Sequence, residues 1–355
     1  MSKTASRLAD NRALSGGLKA WQLKYCAFLI GTASTGPKHH LETSILARLA
    51  ERKPPKEKCR ILSVDMGIRN LAYCVIDAQL SQPQLKASRV GASKTNPTRS
   101  PPNVVEWQRL DVLADPTDPS PGGDKKAVRQ QIANEAFTPS ALSRTAYKIT
   151  QTLLSHRPDV ILIERQRFRS GGASAIQEWT VRVNMLESML WACLETLKHS
   201  ASPSGSSVPA VYEVSPKRVG SFWTACEGVG LGVPDDILSD PFGEKGTEVL
   251  KGVKKKVEKK DKIAVLKSWL RGDGDVHLRF SDDVKGAVGL FNIATKDQSG
   301  DGDIKSPAKR TPAGKLDDLA DCMLQAMAWV RWEENSRKLK HLGEEEKVWH
   351  VLHTP

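Results

Sequence analysis

The chain has 355 residues, enough for one large domain or for two domains with cores of their own. Its 53 lysines and arginines against 41 acidic residues leave a formal net charge of +12, which favours a polyanionic partner such as nucleic acid or an anionic membrane surface. No apolar stretch approaches the ~20 residues of a membrane-spanning helix, so the sequence predicts a soluble protein without a membrane partner. The six scattered cysteines form no CxxC pair, which argues against a disulfide framework and a zinc site.

The N-terminal part divides into a flexible or targeting segment and a helical hairpin. Residues 1–17 include Lys3, Arg7 and Arg12 and mildly resemble a mitochondrial presequence. Residues 18–52 predict two short helices around a turn, and their spaced leucines with Lys38 resemble a SAP-type DNA-binding motif. With a small apolar core and a charged linker behind it, the hairpin is expected to be dispensable for folding of the rest. The alternative is a plain hairpin that packs on the main domain.

The main domain, residues 58–335, opens with two apolar runs that predict a β-hairpin with Asp65 at the end of its first strand. A carboxylate in that position is well placed for a metal, and Gly67 lets the backbone approach a ligand. An Asp that merely caps a turn is the alternative.

A second apolar strand that ends in an acid lies later in the chain, among further predicted elements. A third strand is predicted at residues 104–112, between two polar, proline-containing insertions at 81–103 and 113–124. A helix then leads into an apolar strand that ends in Glu164. A basic loop, a long helix over residues 173–197, a short strand and a further helix follow. The order predicts an α/β fold, with antiparallel strands first and crossover units later.

The C-terminal part contains a third insertion, a helix and a tail. Residues 228–310 read as irregular, and Lys251 to Lys262 contain seven lysines in twelve positions. Such a run is either a solvated face or an arm that contacts phosphates. The last predicted helix, Leu316–Arg331, begins with a group of three acids, and residues 336–355 form a charged, peripheral tail.

Three acidic sites therefore stand out: Asp65, Glu164 and the start of the last helix. Adjacent strand ends meet at one edge of a sheet, and helical residues three or four apart share a face, so Asp321 with either Asp318 or Asp317 can join them. Converging carboxylates without histidine or cysteine favour a hard cation such as Mg²⁺. The alternative for the helical acids is a favourable interaction with the helix N-terminus.

These motifs resemble those of a known family. Asp65-x-Gly67-x-x-Asn70, Ile163-Glu164-Arg165-Gln166 and Asp317-Asp318-x-x-Asp321 are similar to the fungal mitochondrial Holliday-junction resolvases, relatives of bacterial RuvC in the ribonuclease H-like superfamily. The resemblance covers most of residues 60–223 and 315–332. It implies a ribonuclease H-like mixed sheet flanked by helices, preceded by the small helical hairpin.

The resemblance also implies an activity and a site. It implies a homodimer in the mitochondrial matrix that cuts four-way DNA junctions by paired symmetric nicks during recombination, with Mg²⁺ as cofactor and Mn²⁺ as its substitute. The implied catalytic metal ligands are Asp65, Glu164 and Asp321, with Asp318 favoured by bacterial spacing as the fourth and Asp317 as the alternative. The candidate DNA contacts are the basic and polar residues beside these motifs: Lys38, Arg69, Asn70, Arg165, Gln166, Arg167, Arg169 and Lys217.

Three other functions are consistent with some of these features. Another ribonuclease H-like nuclease, acting on RNA/DNA hybrids, would share the carboxylates. An ATP-binding protein of the actin and sugar-kinase type needs glycine-rich phosphate loops, which are absent at the strand turns. A non-catalytic DNA architectural protein would use the hairpin and lysines but would not need the acids.

Overall fold

A computed structural model of the chain describes residues 18–50, 56–68, 70–80, 100–112, 136–166, 178–200, 208–225, 245–252, 256–274, 276–296 and 314–344. Residues 1–17, predicted to be a flexible or targeting segment, and most of the first two insertions lie outside these ranges. The described part contains six strands: β1 Lys58–Asp65, β2 Leu71–Gln79, β3 Asn103–Leu110, β4 Val160–Glu164, β5 Ala210–Val214 and β6 Arg279–Phe280.

Nine α-helices accompany these strands in the described ranges, numbered here in chain order. They are α1 Ala20–Leu29, α2 Lys38–Ala50, α3 Pro139–Ser155, α4 Glu178–Ser200, α5 Pro216–Trp223, α6 Lys245–Gly252, α7 Lys259–Arg271, α8 Lys285–Lys296 and α9 Gly314–Glu344. None of the described helices combines the length and the apolar character that a membrane crossing requires.

The strands form one mixed sheet in the order β5-β4-β1-β2-β3-β6. Strand β1 pairs antiparallel with β2, from Lys58 opposite Gln79 to Asp65 opposite Ala72, as a hairpin requires. On its other side β1 pairs parallel with β4, and β4 pairs parallel with β5, so helical crossovers connect these strands. The predicted mixed sheet with antiparallel strands first and parallel strands later is confirmed.

Side-chain alternation along the strands creates two cores. Leu62 and Val64 of β1 lie on the face covered by α3 and α4. Ile61 belongs to the opposite core, which also contains the buried face of α9. Because α9 crosses β1 and β2 on this face, its first turns are held over the end of β1.

The helical hairpin α1–α2 shares the second core. Leu23 and Leu41 are buried in the same cluster as Trp332 of α9, and the Asn335 side chain donates a hydrogen bond to the Leu29 carbonyl at 2.8 Å. Gly31 is required at the turn because its φ is +71° and an added Cβ would lie 2.2 Å from the Trp332 ring. The expectation that the rest of the chain folds without the hairpin stays a prediction, and removal of the hairpin would uncover this shared core.

The third insertion is structured where the structure describes it, contrary to the expectation of an irregular segment at 228–310. Helix α7 buries Val265, Leu266 and Trp269, and β6 pairs parallel with the edge strand β3. The apolar residues of α7 recur at helical spacing, but the many lysines around them obscured this pattern.

Helix α9 continues through Glu344, past the predicted end at Arg331, so residues 336–344 are not a peripheral tail. Glu333, Asn335 and Leu339 are buried. Polar residues can occupy this interior stretch because they have partners there: Glu333, for example, forms an ion pair with Arg48 of α2.

Candidate active site

Two carboxylates lie at neighbouring strand ends. Asp65 is the last residue of β1 and Glu164 the last of β4, and the register of these parallel strands sets Val64 opposite Ile163. Both carboxylates therefore emerge at the same edge of the sheet, where ligands of α/β sheets bind. Gly67 fits the turn after Asp65 because a Cβ there would approach the Asn70 carbonyl oxygen to 2.9 Å.

Helix α9 brings a third carboxylate to this edge. One oxygen from each of Asp65, Glu164 and Asp321 lies within 4.8 Å of the other two, and all three side chains are half-buried. One turn after Asp321, the buried Gln325 amide donates to Ser63 Oγ at 3.0 Å and to the Val64 carbonyl at 3.2 Å. Gln325 therefore fixes this turn of α9 against β1, a positioning role that the sequence analysis missed although its spacing from Asp321 is helical.

Asp317 and Asp318 are near these three acids but outside the group within 4.8 Å. Asp317 is buried and forms an ion pair with Lys259 of α7, while its Oδ1 has no hydrogen-bond partner. Asp318 is half-buried, and its Oδ2 is a buried atom without a hydrogen-bond partner. An oxygen removed from water without a donor favours a bound cation, so Asp318 retains a free ligand atom.

The acids of this cluster interact strongly. Burial, and then repulsion from Glu164 and Asp321, raises the pKa of Asp65 well above its ordinary value. Burial, together with the charge of Asp317, raises the pKa of Asp318 to about 6. Burial likewise raises the pKa of Asp321, although the Lys262 ammonium opposes this rise. Such accumulated negative charge is what a cation would relieve.

Cations from two elements surround the acids. Lys262 of α7 contacts Asp321 at 2.6 Å, and Lys259 contacts Asp317. The charge of Arg109 of β3 opposes the rise in the pKa of Asp318, and its guanidinium donates to the Asn70 side-chain oxygen at 3.1 Å. The lysine run is evident in the sequence, but which acids it contacts is not, because the contact depends on how α7 packs.

Five of the eight predicted DNA contacts are in the described residues: Lys38, Asn70, Arg165, Gln166 and Lys217. Asn70 and Arg165 follow the strand ends that carry Asp65 and Glu164, and both are exposed. Lys217 is exposed on α5, and Lys38 is exposed at the start of α2. Arg69, Arg167 and Arg169 lie outside the described residues.

The donor set fits a hard divalent cation. All the candidate ligand atoms are carboxylate oxygens, three of them close enough for one ion, and the buried Asp318 oxygen lacks a donor. Mg²⁺ prefers such oxygen ligands. The arrangement can therefore support metal-assisted displacement at a phosphodiester, while the cations around it can attract the negatively charged backbone.

Comparison with known proteins also finds nucleases that act on branched DNA. A family model described as the catalytic domain of mitochondrial resolvase Ydc2 / RNA splicing MRS1 matches residues 61–339. A Schizosaccharomyces pombe protein named cruciform cutting endonuclease 1, mitochondrial, is 27% identical over 320 residues, which cover 90% of this chain and 93% of that protein. The Saccharomyces cerevisiae protein of the same name is 24% identical over 346 residues, covering 91% and 84%.

A solved structure resembles most of this chain. The crystal structure of the yeast mitochondrial Holliday junction resolvase Ydc2 has a TM-score of 0.51 at 23% identity, and the match covers 92% of this chain and 98% of that one. This likeness concerns the fold, and it confirms the ribonuclease H-like class. The family predicted from the motifs is likewise confirmed by the family model.

Proposed function

The chain belongs to the mitochondrial resolvase Ydc2 / RNA splicing MRS1 family, and we propose that it is an endonuclease that resolves four-way DNA junctions in mitochondria. The observation that carries this function is the convergence of Asp65, Glu164 and Asp321 at one sheet edge. A protein that only bound or bent nucleic acid would not need three half-buried carboxylates whose mutual repulsion has to be offset.

Each residue of the site has a role in this proposal. Asp65, Glu164 and Asp321 would hold Mg²⁺, or Mn²⁺ in its place, and Asp318 would be the fourth ligand. When bound, such an ion activates a water and stabilises the leaving oxygen of an in-line displacement. Gln325 keeps Asp321 in register with Asp65, and Arg109 offers a positive charge to a phosphate beside Asp318.

The symmetry of a four-way junction bears on how many copies of the chain act together. A four-way junction has two-fold symmetry, and a single site cuts one strand at a time, so paired symmetric nicks need two sites. We infer a homodimer with one acidic site per chain. The mitochondrial names of the relatives support a mitochondrial location, and within it we propose the matrix, where recombining mitochondrial DNA is found.

The test is cleavage of a synthetic four-way junction with Mg²⁺ by wild type, Asp65→Asn and Glu164→Gln. Each change keeps the size of the side chain and removes one metal-binding charge, so we expect nicking to fall by at least about a hundredfold while junction binding stays nearly the same. Asp282→Asn is the control, because Asp282 is an exposed acid paired with Lys285 outside the site.

Substrate comparison separates the alternatives. We expect the four-way junction to be cut in preference to a linear duplex and to an RNA/DNA hybrid. Preferred cutting of the hybrid would identify a different ribonuclease H-like nuclease, and wild-type rates in the Asp65 or Glu164 variants would remove the metal assignment.

A further inference from the structure

Helix α7 places one lysine inside the acidic site. Lys262 Nζ lies 2.6 Å from Asp321 Oδ2, and the two side chains are only 19% and 13% exposed. One helical turn earlier, Lys259 contacts Asp317, although Lys259 itself is 72% exposed. The lysines are three residues apart and their partners are four apart, so the two pairs align one helix with the other. Lys260, between them, contacts Glu258 and is 80% exposed.

The backbone of α7 is anchored independently of these pairs. Val265, Leu266 and Trp269 are buried in the core that contains α9, and the Trp269 ring packs edge-on against Trp223 at a centroid distance of 4.6 Å. At its start, the Glu258 amide donates to Asp261 at 3.0 Å, which caps the helix. Helix α7 is therefore held beside the site by packing, so the Lys262 side chain starts from an anchored backbone and reaches Asp321.

A fixed ammonium at this place has an electrostatic consequence. It supplies one positive charge to a group of three carboxylates and occupies one oxygen of Asp321. A divalent cation that enters the same group must tolerate that charge or displace it, and either costs binding free energy in a partly desolvated site. The lysine thus offsets the repulsion among the acids when no metal is bound and opposes the metal when it arrives.

We propose that Lys262 is an internal counter-cation of the acidic site, which lowers the affinity of the DNA-free protein for divalent metal. The lysine-rich insertion then has a defined role, since it sets how much metal the site needs. This inference rests on the proposed function in one respect, which is that the three carboxylates form the metal site.

The experiment measures Mn²⁺ binding to the full-length protein without DNA by isothermal titration calorimetry. Lys262→Gln removes the charge but keeps a hydrogen-bond donor for Asp321, and we expect it to bind Mn²⁺ at least about tenfold more tightly than wild type. Lys262→Arg keeps the charge and should bind Mn²⁺ with the wild-type affinity. Lys260→Gln, on the exposed neighbour, should not differ from wild type.

A second readout is thermal unfolding with and without Mn²⁺. Without metal, Lys262→Gln should unfold at a lower temperature than wild type because the carboxylates lose a counter-charge, and its stabilisation by Mn²⁺ should be larger. Lys259→Gln changes a more exposed side chain and provides a variant that should fold in any case. We expect it to bind Mn²⁺ about twofold more tightly, since its charge also acts on Asp321.

The outcomes are distinct. Unchanged or weaker Mn²⁺ binding by folded Lys262→Gln would overturn the inference and leave the proposed nuclease intact. Should that variant not fold, unchanged binding by Lys259→Gln would overturn it instead. If neither wild type nor any variant bound Mn²⁺, the metal site itself would be refuted and this inference with it.

Discussion

Asp317 and Asp318 are adjacent at the start of α9 but differ in their surroundings. Each has one buried oxygen that lacks a donor, but Asp317 pairs with Lys259 through its other oxygen. We expect Asp318→Asn to reduce junction nicking at least about tenfold, because it removes a candidate metal ligand. Asp317→Asn should reduce it less, since it removes only a nearby charge.

Single-turnover nicking rates at saturating protein measure this difference, and circular dichroism checks that both variants fold. Equal losses in the two variants would mean that the fourth ligand is not Asp318 alone. A larger loss of nicking rate in Asp317→Asn would make Asp317 the fourth metal ligand in place of Asp318.

The raised pKa of Asp318 predicts a pH dependence of stability. Its ordinary value is 3.8 and its value in the folded protein is about 6, so the folded state binds the proton more tightly. Protonation of Asp318 should therefore stabilise the folded, metal-free protein. This contribution to the unfolding free energy is fully present below about pH 4 and is lost as the pH rises through about 6. Asp65 and Asp321 are shifted in the same direction.

Urea unfolding in EDTA between about pH 4 and 7 tests this sign, with Asp318→Asn as the comparison. The variant should show a weaker decline of the unfolding free energy with pH than wild type. Because protons compete with metal for carboxylates, nicking should rise over the same pH range. Parallel stability curves for the two proteins would contradict the assigned shift.

At the scale of elements, a buried ion pair connects the helical hairpin to α9. Arg48 of α2 and Glu333 of α9 are only 8% and 5% exposed. Arg48→Met takes the guanidinium from a buried carboxylate, and we expect the unfolding free energy to fall by roughly 3 kcal/mol. Urea unfolding measures the loss.

Two further variants interpret that loss. Lys38→Met changes an exposed lysine of the same helix, whose contact with Glu42 is 3.9 Å, and should alter stability by less than about 0.5 kcal/mol. Adding Glu333→Gln to Arg48→Met should recover part of the stability, because no unpaired buried charge then remains. If Arg48→Met lowered the unfolding free energy no more than Lys38→Met does, the attachment of the hairpin to α9 would not depend on the Arg48–Glu333 ion pair.

For the whole molecule, the outer surface of α3 and α4 is the proposed dimer interface. The exposed large apolar side chains among the described residues all lie on these two helices: Tyr147, Trp179, Val181 and Leu197. Helix α4 corresponds to the long helix predicted over residues 173–197, in which Met189 and Trp191 are further candidates for an interface. The structure buries both of these partly against the domain's own core, so more exposed neighbours are the better test.

We expect the double variant Tyr147→Asp/Leu197→Asp to be a folded monomer, because charges replace apolar surface that a partner would cover. Sedimentation velocity measures the assembly state. A supercoiled plasmid that extrudes a cruciform distinguishes the products, since paired nicks linearise it and single nicks leave open circles. Thr152→Asp, which adds a charge at an exposed polar position of α3, is the control. A double variant that stays dimeric would exclude this surface.

The sequence by itself determined five of the six described strands, most positions of the described helices and the three acidic motifs, and it missed the short strand β6. Buried strands are continuous apolar runs, and an acid that follows such a run stands out against it. Asp65 and Glu164 could therefore be assigned to strand ends, and the motifs were sufficient to indicate the family.

Only the tertiary structure decided which groups meet these acids. The contact of Lys262 with Asp321, the hydrogen bonds from Gln325 to β1 and the merging of the hairpin with the core of α9 all join residues far apart in the chain. Local spacing carries information about one helix or strand at a time. How two elements pack depends on side-chain shapes at both surfaces, and those are brought together only by the fold.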